Sequence, residues 1–434
     1  MGRPTDTDRP TITRRAALGI LGASAAAVPL AACSGGSSGG SGGSGGTGTL
    51  AMANYDTPQA AALTKKLLSE FQAKTKIATT VSSTPGSGAA IYPGQLRTEI
   101  LGGKAPDVFR CWGGTIVQPF VTSNQVISLD SAYAKYGWDS VLSAPNVKDF
   151  TFNGVKYGLP LWASAVGVWY NKQHFAKAGV PAPTTFAEVE SANAALAKAN
   201  IQPWLAGGKY GWYVMRFFEW FLEMTAGPTE HDALRNTQTS WNTASVVDAF
   251  AILQKWAKNN WLPNGVMGLD PTQVEAEFLG GKGAMALDGQ WIEQTLVPGK
   301  MTASDYGTFI PPTDQTPLRF SGFTEGLFIT SESSKSGEAE QLLDFYTKPS
   351  SQEVIQNAYT TVKAVPAITG YTGTAQWEKW LASVPHYIIQ DQSLSTTLAN
   401  AYFSIQSNVV QGSQKPADAA KAMQTAVEQH KSGS

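Results

Sequence analysis

The sequence contains few of the residues that usually build catalytic and metal sites. Only two cysteines and four histidines occur among 434 residues. The histidines are scattered, with no HExxH pair and no cysteine or carboxylate at ligand spacing, which argues against a metal site. No phosphate-binding GxxxxGK[ST] loop is present, and no dinucleotide fingerprint joins a strand to a helix. The sequence therefore predicts no metal, no cofactor and no assigned catalytic residue, although the two distant carboxylates of a glycosidase would leave no local motif.

The charge balance and the cysteine content also exclude some classes of partner and a fold held together by disulfide bonds. The chain carries 32 lysines and arginines against 33 aspartates and glutamates, a net charge of −1 at pH 7. Without a basic excess, no nucleic-acid partner is expected. Cys33 and Cys111 are the only thiols, so modification of Cys33 would leave no internal disulfide. With 42% apolar residues, stability must come from a core that is large enough for two domains.

The first 33 residues predict an export signal rather than part of the folded domain. Arginines precede an apolar run over residues 16–32 that is too short to span a bilayer stably. Arg14 and Arg15, followed by Ala-Ala-Leu, resemble the pair in twin-arginine signals, and general secretion is the alternative. Either route implies an exported protein.

The end of this apolar run predicts a lipid anchor. Leu30-Ala-Ala-Cys33 resembles the bacterial lipobox, in which the cysteine thiol takes a diacylglycerol. Residues 34–48 are mostly Gly and Ser, a composition typical of a flexible tether. The sequence thus predicts an extracytoplasmic protein that Cys33 anchors to the bacterial cell membrane.

After the tether, apolar periodicity alternates between strand and helix. Residues 50–55 and 77–81 are typical of short strands. Between them, Leu63, Leu67 and Phe71 recur on one face of a helix. This order predicts a βαβ opening.

The same alternation continues along the chain. Residues 185–188 and 350–353 match capping boxes and predict two helix N-termini. An apolar stripe over residues 246–257 predicts an amphipathic helix, and residues 283–287 predict a buried strand. The expected fold class is α/β with largely parallel sheets.

Aromatic residues are the compositional feature that points to a ligand. The chain has 13 Trp, 14 Tyr and 18 Phe. An indole ring can cover the flat C–H face of a sugar while neighbouring polar groups bond the hydroxyls. Trp256 lies on the apolar stripe and is expected in the core. Trp112, Trp162 and Trp291 stand beside Gly or Pro at predicted strand ends and are candidates for contact with a sugar.

Six segments resemble, in order, motifs of the bacterial extracellular solute-binding proteins of ABC transporters, specifically the sugar-binding family that includes the maltodextrin receptors. The segments are residues 101–109 (LGGKAPDVF), 152–160 (FNGVKYGLP), 169–179 (WYNKQHFAKAG), 278–291 (FLGGKGAMALDGQW), 322–335 (GFTEGLFITSESSK) and 412–423 (GSQKPADAAKAM). Each motif alone is moderately specific, but the ordered set spans nearly the whole chain after the tether.

The resemblance implies a two-lobed periplasmic-binding-protein fold, type II-like, whose lobes close on a ligand by a hinge. The implied lobes are residues 49–161 with 312–365, and residues 162–311 with 366–434. The implied passages between the lobes lie near residues 160–162, 311–312 and 365–366.

The resemblance also implies which residues line the cleft. Trp112 begins the loop that lines the cleft on one lobe, and Trp291, with Asp288 before it, stands where many relatives stack a ring on the sugar. Ser164 corresponds to a polar residue that often meets a sugar hydroxyl, although some relatives carry a carboxylate there. Weaker candidates are Tyr55, Asp56, Tyr92, Trp162, Trp212, Phe323 and Glu325.

These features together predict the lipid-anchored substrate-binding subunit of an ABC importer. It would act as a monomer without enzymatic activity, capture a sugar or oligosaccharide, and deliver it to the transmembrane permease subunits. Two alternatives stay open at this point, a secreted carbohydrate-active enzyme and a surface lectin. A glycosidase would need two suitably spaced carboxylates, whereas a lectin would need a shallow, exposed site.

Overall fold

The structure of the protein is a computed structural model, which describes residues 48–56, 58–85, 92–355, 360–363, 365 and 370–433. The predicted export signal, Cys33 and nearly all of the tether lie outside the described residues, as does residue 366 at the predicted third passage. Across the described ranges, no helix has both the length and the apolar character needed to cross a bilayer.

Strands and helices alternate through most of the described chain. The strands in these residues are β1 (Leu50–Asp56), β2 (Thr79–Pro85), β3 (Val108–Trp112), β4 (Thr151–Phe152), β5 (Val155–Lys156), β6 (Gly158–Asn171), β7 (Trp204–Leu205), β8 (Met285–Gly289), β9 (Tyr306–Phe309), β10 (Phe320–Ile329) and β11 (His386–Ile388). The α-helices in these residues are α1 (Pro58–Thr75), α2 (Tyr92–Leu101), α3 (Gln118–Thr122), α4 (Asp130–Tyr136), α5 (Trp138–Val141), α6 (Ala144–Val147), α7 (Lys172–Ala178), α8 (Phe186–Lys198), α9 (Trp212–Arg235), α10 (Ala244–Lys258), α11 (Val274–Leu279), α12 (Glu293–Leu296), α13 (Ser336–Tyr346), α14 (Pro349–Val354), α15 (Thr372–Ser383), α16 (Thr396–Val410) and α17 (Pro416–Gly433).

Within the described residues, a nine-stranded sheet runs in the order β2-β1-β3-β10-β6-β8-β7, with β11 paired to β10 and β9 paired to β6. The outer pairs β1–β2, β1–β3 and β7–β8 are parallel, as is β10–β11. The long central strands β6 and β10 are antiparallel to each other, and they are also antiparallel to β8 and β3 respectively. The expectation of largely parallel sheets is therefore wrong at the centre, because local periodicity identifies a strand but not its direction relative to a distant neighbour.

The apolar cores lie on two sides of the β6–β10 pair. The largest hydrophobic cluster draws on residues 165–320 and 371–427, and two smaller clusters draw on residues 50–161 and 327–362. Strands β6 and β10 each contribute residues to both sides. These two strands are therefore shared between the cores.

The segment before β10 belongs with the largest cluster. The indole Nε1 of Trp220 in α9 donates to the Pro312 carbonyl oxygen at 2.8 Å, and the Arg319 guanidinium pairs with Glu223 of α9. Residues 312–320 were predicted to belong to the first lobe, and these contacts link Pro312 and Arg319 to α9. The position of the second passage between the lobes stays a prediction.

Of the helix signals predicted from the sequence, two are confirmed and one is wrong. The capping box of α8 is confirmed, since Thr185 Oγ1 accepts from the Glu188 backbone N–H and the Glu188 carboxylate accepts from the Thr185 N–H. The buried face of α10, which includes Trp256, is also confirmed. The capping box at residues 350–353 is wrong, because Pro349 occupies the first position of α14 and the N-cap is Lys348. Proline suits that position, since its φ is already helical and it lacks the N–H that would need a cap.

Candidate functional site

The register of the central strands brings several of the predicted site residues together. Trp112 in β3 pairs with Glu325 in β10, and Glu325 pairs in turn with Trp162 in β6. Two residues further along the same strands, Phe323 pairs with Ser164. Since side chains two residues apart in a strand point to the same face, β6 and β10 carry a continuous row of aromatic and polar groups.

Arg110 in β3 lies at the centre of a first group of these residues. Its Nη1 donates to Asp56 Oδ1 at 2.9 Å, and its Nε donates to Glu325 Oε2 at 2.8 Å. Its guanidinium carbon is 4.6 Å from the ring centroid of Tyr55 and 4.1 Å from that of Trp162. One cation thus bonds two carboxylates and stacks on two aromatic rings. We call these five residues the Arg110 cluster.

Two further rings extend this cluster. The ring centroids of Tyr55 and Trp112 are 4.1 Å apart with an interplanar angle of 17°, and Tyr92 lies 4.9 Å from Tyr55. Trp112 is only 7% exposed. One face of Trp112 is therefore covered by Tyr55, which leaves only its edge or its other face to meet a ligand.

Burial controls the charge states in the Arg110 cluster. Burial raises the pKa of Asp56 to about 6, although Arg110 and the hydroxyl of Thr64 oppose the shift. Burial would lower the pKa of Arg110, but the charges of Glu325, Tyr55 and Asp56 raise it above its usual value. Arg110 therefore stays charged at all ordinary pH values, while Asp56 titrates close to neutrality.

Arg216 in α9 lies at the centre of a second group. Its Nη1 donates to Asp288 Oδ1 at 2.8 Å, and both side chains are 5% exposed. Its guanidinium carbon is 4.6 Å from the ring centroid of Trp212, 4.7 Å from that of Tyr213 and 5.3 Å from that of Trp291. We call these five residues the Arg216 cluster.

Gly289 and Phe323 determine how Trp291 sits in this cluster. A Cβ atom at Gly289 would lie 1.8 Å from the Trp291 ring, so glycine is needed for the ring to pack against the backbone. The ring centroid of Phe323 is 5.7 Å from that of Trp291. Phe323 also packs against the hydrophobic cluster that contains Trp112. Phe323 therefore lies between the Trp291 ring and that hydrophobic cluster.

The carboxylate of the Arg216 cluster is also affected by burial. Burial raises the pKa of Asp288, while Arg216 and the Gly289 N–H, which donates to Asp288 Oδ1 at 2.9 Å, oppose the shift. Glu275 lies nearby, and its own pKa is raised by burial and then by the charge of Asp288. Within the described ranges, no group of three His, Cys, Asp or Glu side chains could hold a metal ion.

The predicted site residues fall into these two groups and the strands between them. The Arg110 cluster and its extension contain Tyr55, Asp56, Tyr92, Trp112, Trp162 and Glu325, the Arg216 cluster contains Trp212, Asp288 and Trp291, and Phe323 with Ser164 lies on the strands between. Tyr55, Asp56, Tyr92, Trp112, Ser164, Asp288 and Glu325 are buried, whereas Trp162, Trp212, Phe323 and Trp291 are half-buried. Whether these residues bind a ligand stays a prediction.

The structure also corrects the sequence analysis at three residues. Trp162 lies inside the 14-residue strand β6 and not at a strand end. Arg110 and Arg216 were missed altogether. A signal for each was present, since Arg110 interrupts the apolar strand VFRCW and Arg216 is the one cation in the helical run WYVMRFFEWF. A cation in such a run is expected to have a buried partner.

Comparison with known proteins identifies the family. The family model of the bacterial extracellular solute-binding proteins matches residues 55–353. An uncharacterized ABC transporter extracellular-binding protein of Pyrococcus horikoshii is 24% identical over 212 residues, which are 48% of this chain and 47% of that protein. A probable sugar-binding periplasmic protein of Rhizobium meliloti is 23% identical over 293 residues, which are 67% of this chain and 69% of that protein. The chain thus spans about half of the first relative and about two thirds of the second.

A solved structure supports the same assignment. It comes from work on xylan utilization by the thermophilic bacterium Caldanaerobius polysaccharolyticus. It matches with a TM-score of 0.80 and 23% identity, over 87% of this chain and 99% of that chain. The expected two-lobed α/β fold is confirmed by this likeness. The chain therefore belongs to the bacterial extracellular solute-binding proteins.

Proposed function

We propose that this protein is the substrate-binding subunit of an ABC importer and that it captures a sugar or oligosaccharide between its lobes. The observation that carries the proposal is the pair of arginine clusters, which bring aromatic rings and buried carboxylates to both sides of the β6–β10 pair. Rings of this kind can cover the C–H faces of a sugar while carboxylates bond its hydroxyls. The name of the Rhizobium meliloti relative and the xylan setting of the structural relative agree with this substrate class.

The lobe assignment follows the two sets of cores. The first lobe would comprise residues 49–161 and the chain from the second half of β10 to residue 365, and the second lobe would comprise the remaining residues to 434. Thr115 donates from its backbone N–H to the Gln392 carbonyl oxygen at 3.1 Å and from its hydroxyl to the Leu394 carbonyl oxygen at 2.8 Å. These bonds join the two proposed lobes beside Trp112. Closure would change a few dihedral angles in the passages between the lobes.

The roles of the residues follow from their exposure. Trp291, Trp212, Phe323 and Trp162 are half-buried and can offer a ring face or edge to the cleft. Trp112 would contribute the part of its ring that Tyr55 leaves uncovered. Asp56, Glu325 and Asp288 would accept bonds from sugar hydroxyls, and Ser164 would add a hydroxyl between the clusters.

Two features favour a receptor over the alternative functions. Asp56 and Glu325 both bind the same arginine, so the two carboxylates belong to one ion-pair network, whereas a glycosidase places two separate acids on either side of the bond that it cleaves. The candidate residues are buried or half-buried, whereas a lectin site would be shallow and exposed. The protein would therefore bind its ligand without changing it.

The proposal includes the anchor and the partner. After export by the twin-arginine or the general pathway, lipidation of Cys33 would anchor the protein to the extracytoplasmic side of the cell membrane. The Gly- and Ser-rich residues 34–48 would let the monomeric receptor reach the permease subunits of its importer.

A thermal-shift screen of the purified protein tests the function. The panel should include neutral mono- and oligosaccharides, among them xylo-oligosaccharides, with polyols, phosphosugars and amino acids as comparison classes. Ligand at 100 times its dissociation constant should add about 2.7 kcal/mol to the free energy of unfolding. Stabilisation only by another class would contradict the sugar proposal, and chromatography that finds cleaved sugar would favour the enzyme.

A further inference from the structure

The two arginine clusters have the same arrangement, in which an arginine that was not a predicted site residue lies at the centre. Each places one guanidinium, half-buried in Arg110 and buried in Arg216, against two or three aromatic rings and at least one carboxylate. In the Arg110 cluster, Nε and both Nη atoms already donate to Asp56 and Glu325. Little of the Arg110 donor capacity is left for a ligand.

We propose that Arg110 and Arg216 are positioning residues, which hold the rings and carboxylates of their clusters in the orientation that receives a ligand. This inference rests on the proposed function, because it assigns a role at the same site. A guanidinium is planar, so it can stack on a ring with its face and fork to a carboxylate with its edge. One side chain thereby fixes the ring and the acid relative to each other.

This arrangement lowers the conformational-entropy cost of binding a ligand. Half-buried rings such as Trp212 and Trp291 would otherwise rotate between rotamers and lose that freedom when a sugar binds. Arg216 contacts both rings, and its bond to Asp288 ties them to the end of β8. Lysine would keep the positive charge but would lose the planar stack on these rings. Arginine-to-lysine substitutions therefore separate charge from positioning.

Arg319 provides a matched control. It is also buried, its Nε donates to Glu223 Oε1 and its Nη1 to Asp232 Oδ2, both at 2.8 Å. Its guanidinium carbon is 5.2 Å from the ring centroid of Tyr387. These partners include none of the predicted site residues. Arg319→Lys should therefore reproduce the loss of stability without the loss of positioning.

The first measurement needs no ligand. Protein labelled with 5-fluorotryptophan would give one fluorine NMR resonance for each tryptophan, assigned by Trp→Phe variants. Arg216→Lys should shift or broaden the Trp212 and Trp291 resonances and leave that of Trp162 in place. Arg110→Lys should do the reverse. Unchanged Trp212 and Trp291 resonances in folded Arg216→Lys would overturn the inference.

The second measurement is affinity, with the best-binding sugar of the screen and xylotriose as the first probe. Arg110→Lys and Arg216→Lys should each weaken binding at least tenfold, and Arg319→Lys should stay within twofold of the unsubstituted protein. Equal affinities in all three variants would overturn positioning. If the unsubstituted protein binds no sugar at all, the proposed function fails while the fluorine resonances still decide the inference.

A second variant tests the inference if Arg216→Lys does not fold. Arg216→Met with Asp288→Asn removes both partners of this buried ion pair, so neither partner is left as an unpaired charge. The Trp212 and Trp291 resonances of this double variant should broaden as in Arg216→Lys. Sharp resonances at their original positions would show that other packing holds the rings.

Discussion

Trp291→Ala is the substitution that best separates a binding ring from a core ring. The indole is half-buried at the end of β8, 5.7 Å from Phe323 and 5.3 Å from the Arg216 guanidinium by ring centroid. Removing it deletes one aromatic pair, one cation–π contact and the side-chain hydrogen bond to Asp288 from the unliganded protein. It also deletes a ring face from the cleft.

The two effects have different sizes. The aromatic pair contributes about 0.5–1.5 kcal/mol and the partly exposed cation–π contact about 0.5–1 kcal/mol, and burial of the half-buried indole adds to both. The free energy of unfolding should therefore fall by more than the roughly 1–2.5 kcal/mol of these two contacts. Loss of sugar stacking and of the apolar burial that goes with it should cost about 1.5–3 kcal/mol of binding free energy. At about 1.4 kcal/mol per factor of ten, the dissociation constant should rise by tenfold or more.

Isothermal titration calorimetry and urea unfolding measure these two quantities separately. Trp256→Phe is the control, because Trp256 is fully buried in the largest hydrophobic cluster and should affect stability alone. Gly289→Ala is a second probe. Gly289 has an extended backbone with φ −87°, which alanine tolerates, but its new Cβ would displace the Trp291 ring. If Trp291→Ala loses stability and keeps its affinity, as expected for Trp256→Phe, then Trp291 is a packing residue.

Three further predictions follow from the buried acid, the hinge and the anchor. Burial raises the pKa of Asp56 in the folded protein from 3.8 to about 6, so the native state keeps this proton up to a higher pH than the unfolded state does. The free energy of unfolding should therefore fall by up to about 3 kcal/mol as the pH rises from 4 to 7. Urea unfolding of Asp56→Asn should lack this component, and identical pH slopes in the two proteins would contradict the assignment. Saturating sugar should lower the radius of gyration in solution scattering, Trp112→Ala and Trp291→Ala should each weaken the compaction, and unchanged curves with a bound ligand would favour a rigid lectin. Cys33→Ala should move the protein from the membrane fraction to the soluble fraction, and continued membrane binding would refute the lipobox.

The family and the local elements could be predicted from the sequence. The residues of α2, α8 and α10 show their buried faces as apolar spacing, and the capping box of α8 lies within four consecutive residues. The order of the motifs identified the family, because the six segments follow one another along the chain as the motifs of the family do. Each of these signals is carried by residues close together in the chain, where backbone geometry alone determines which side chains share a face.

The composition of the candidate site depended on tertiary structure. Arg110 and Glu325 are 215 residues apart and meet only because β3 and β10 are antiparallel neighbours in one particular register. The stacking of Tyr55 on Trp112 likewise depends on the pairing of β1 with β3. A one-residue change of register would send these side chains to the opposite face of the sheet. Sequence patterns therefore determined which residues could bind a ligand, whereas long-range strand pairing decided which arginines, acids and rings share a cluster.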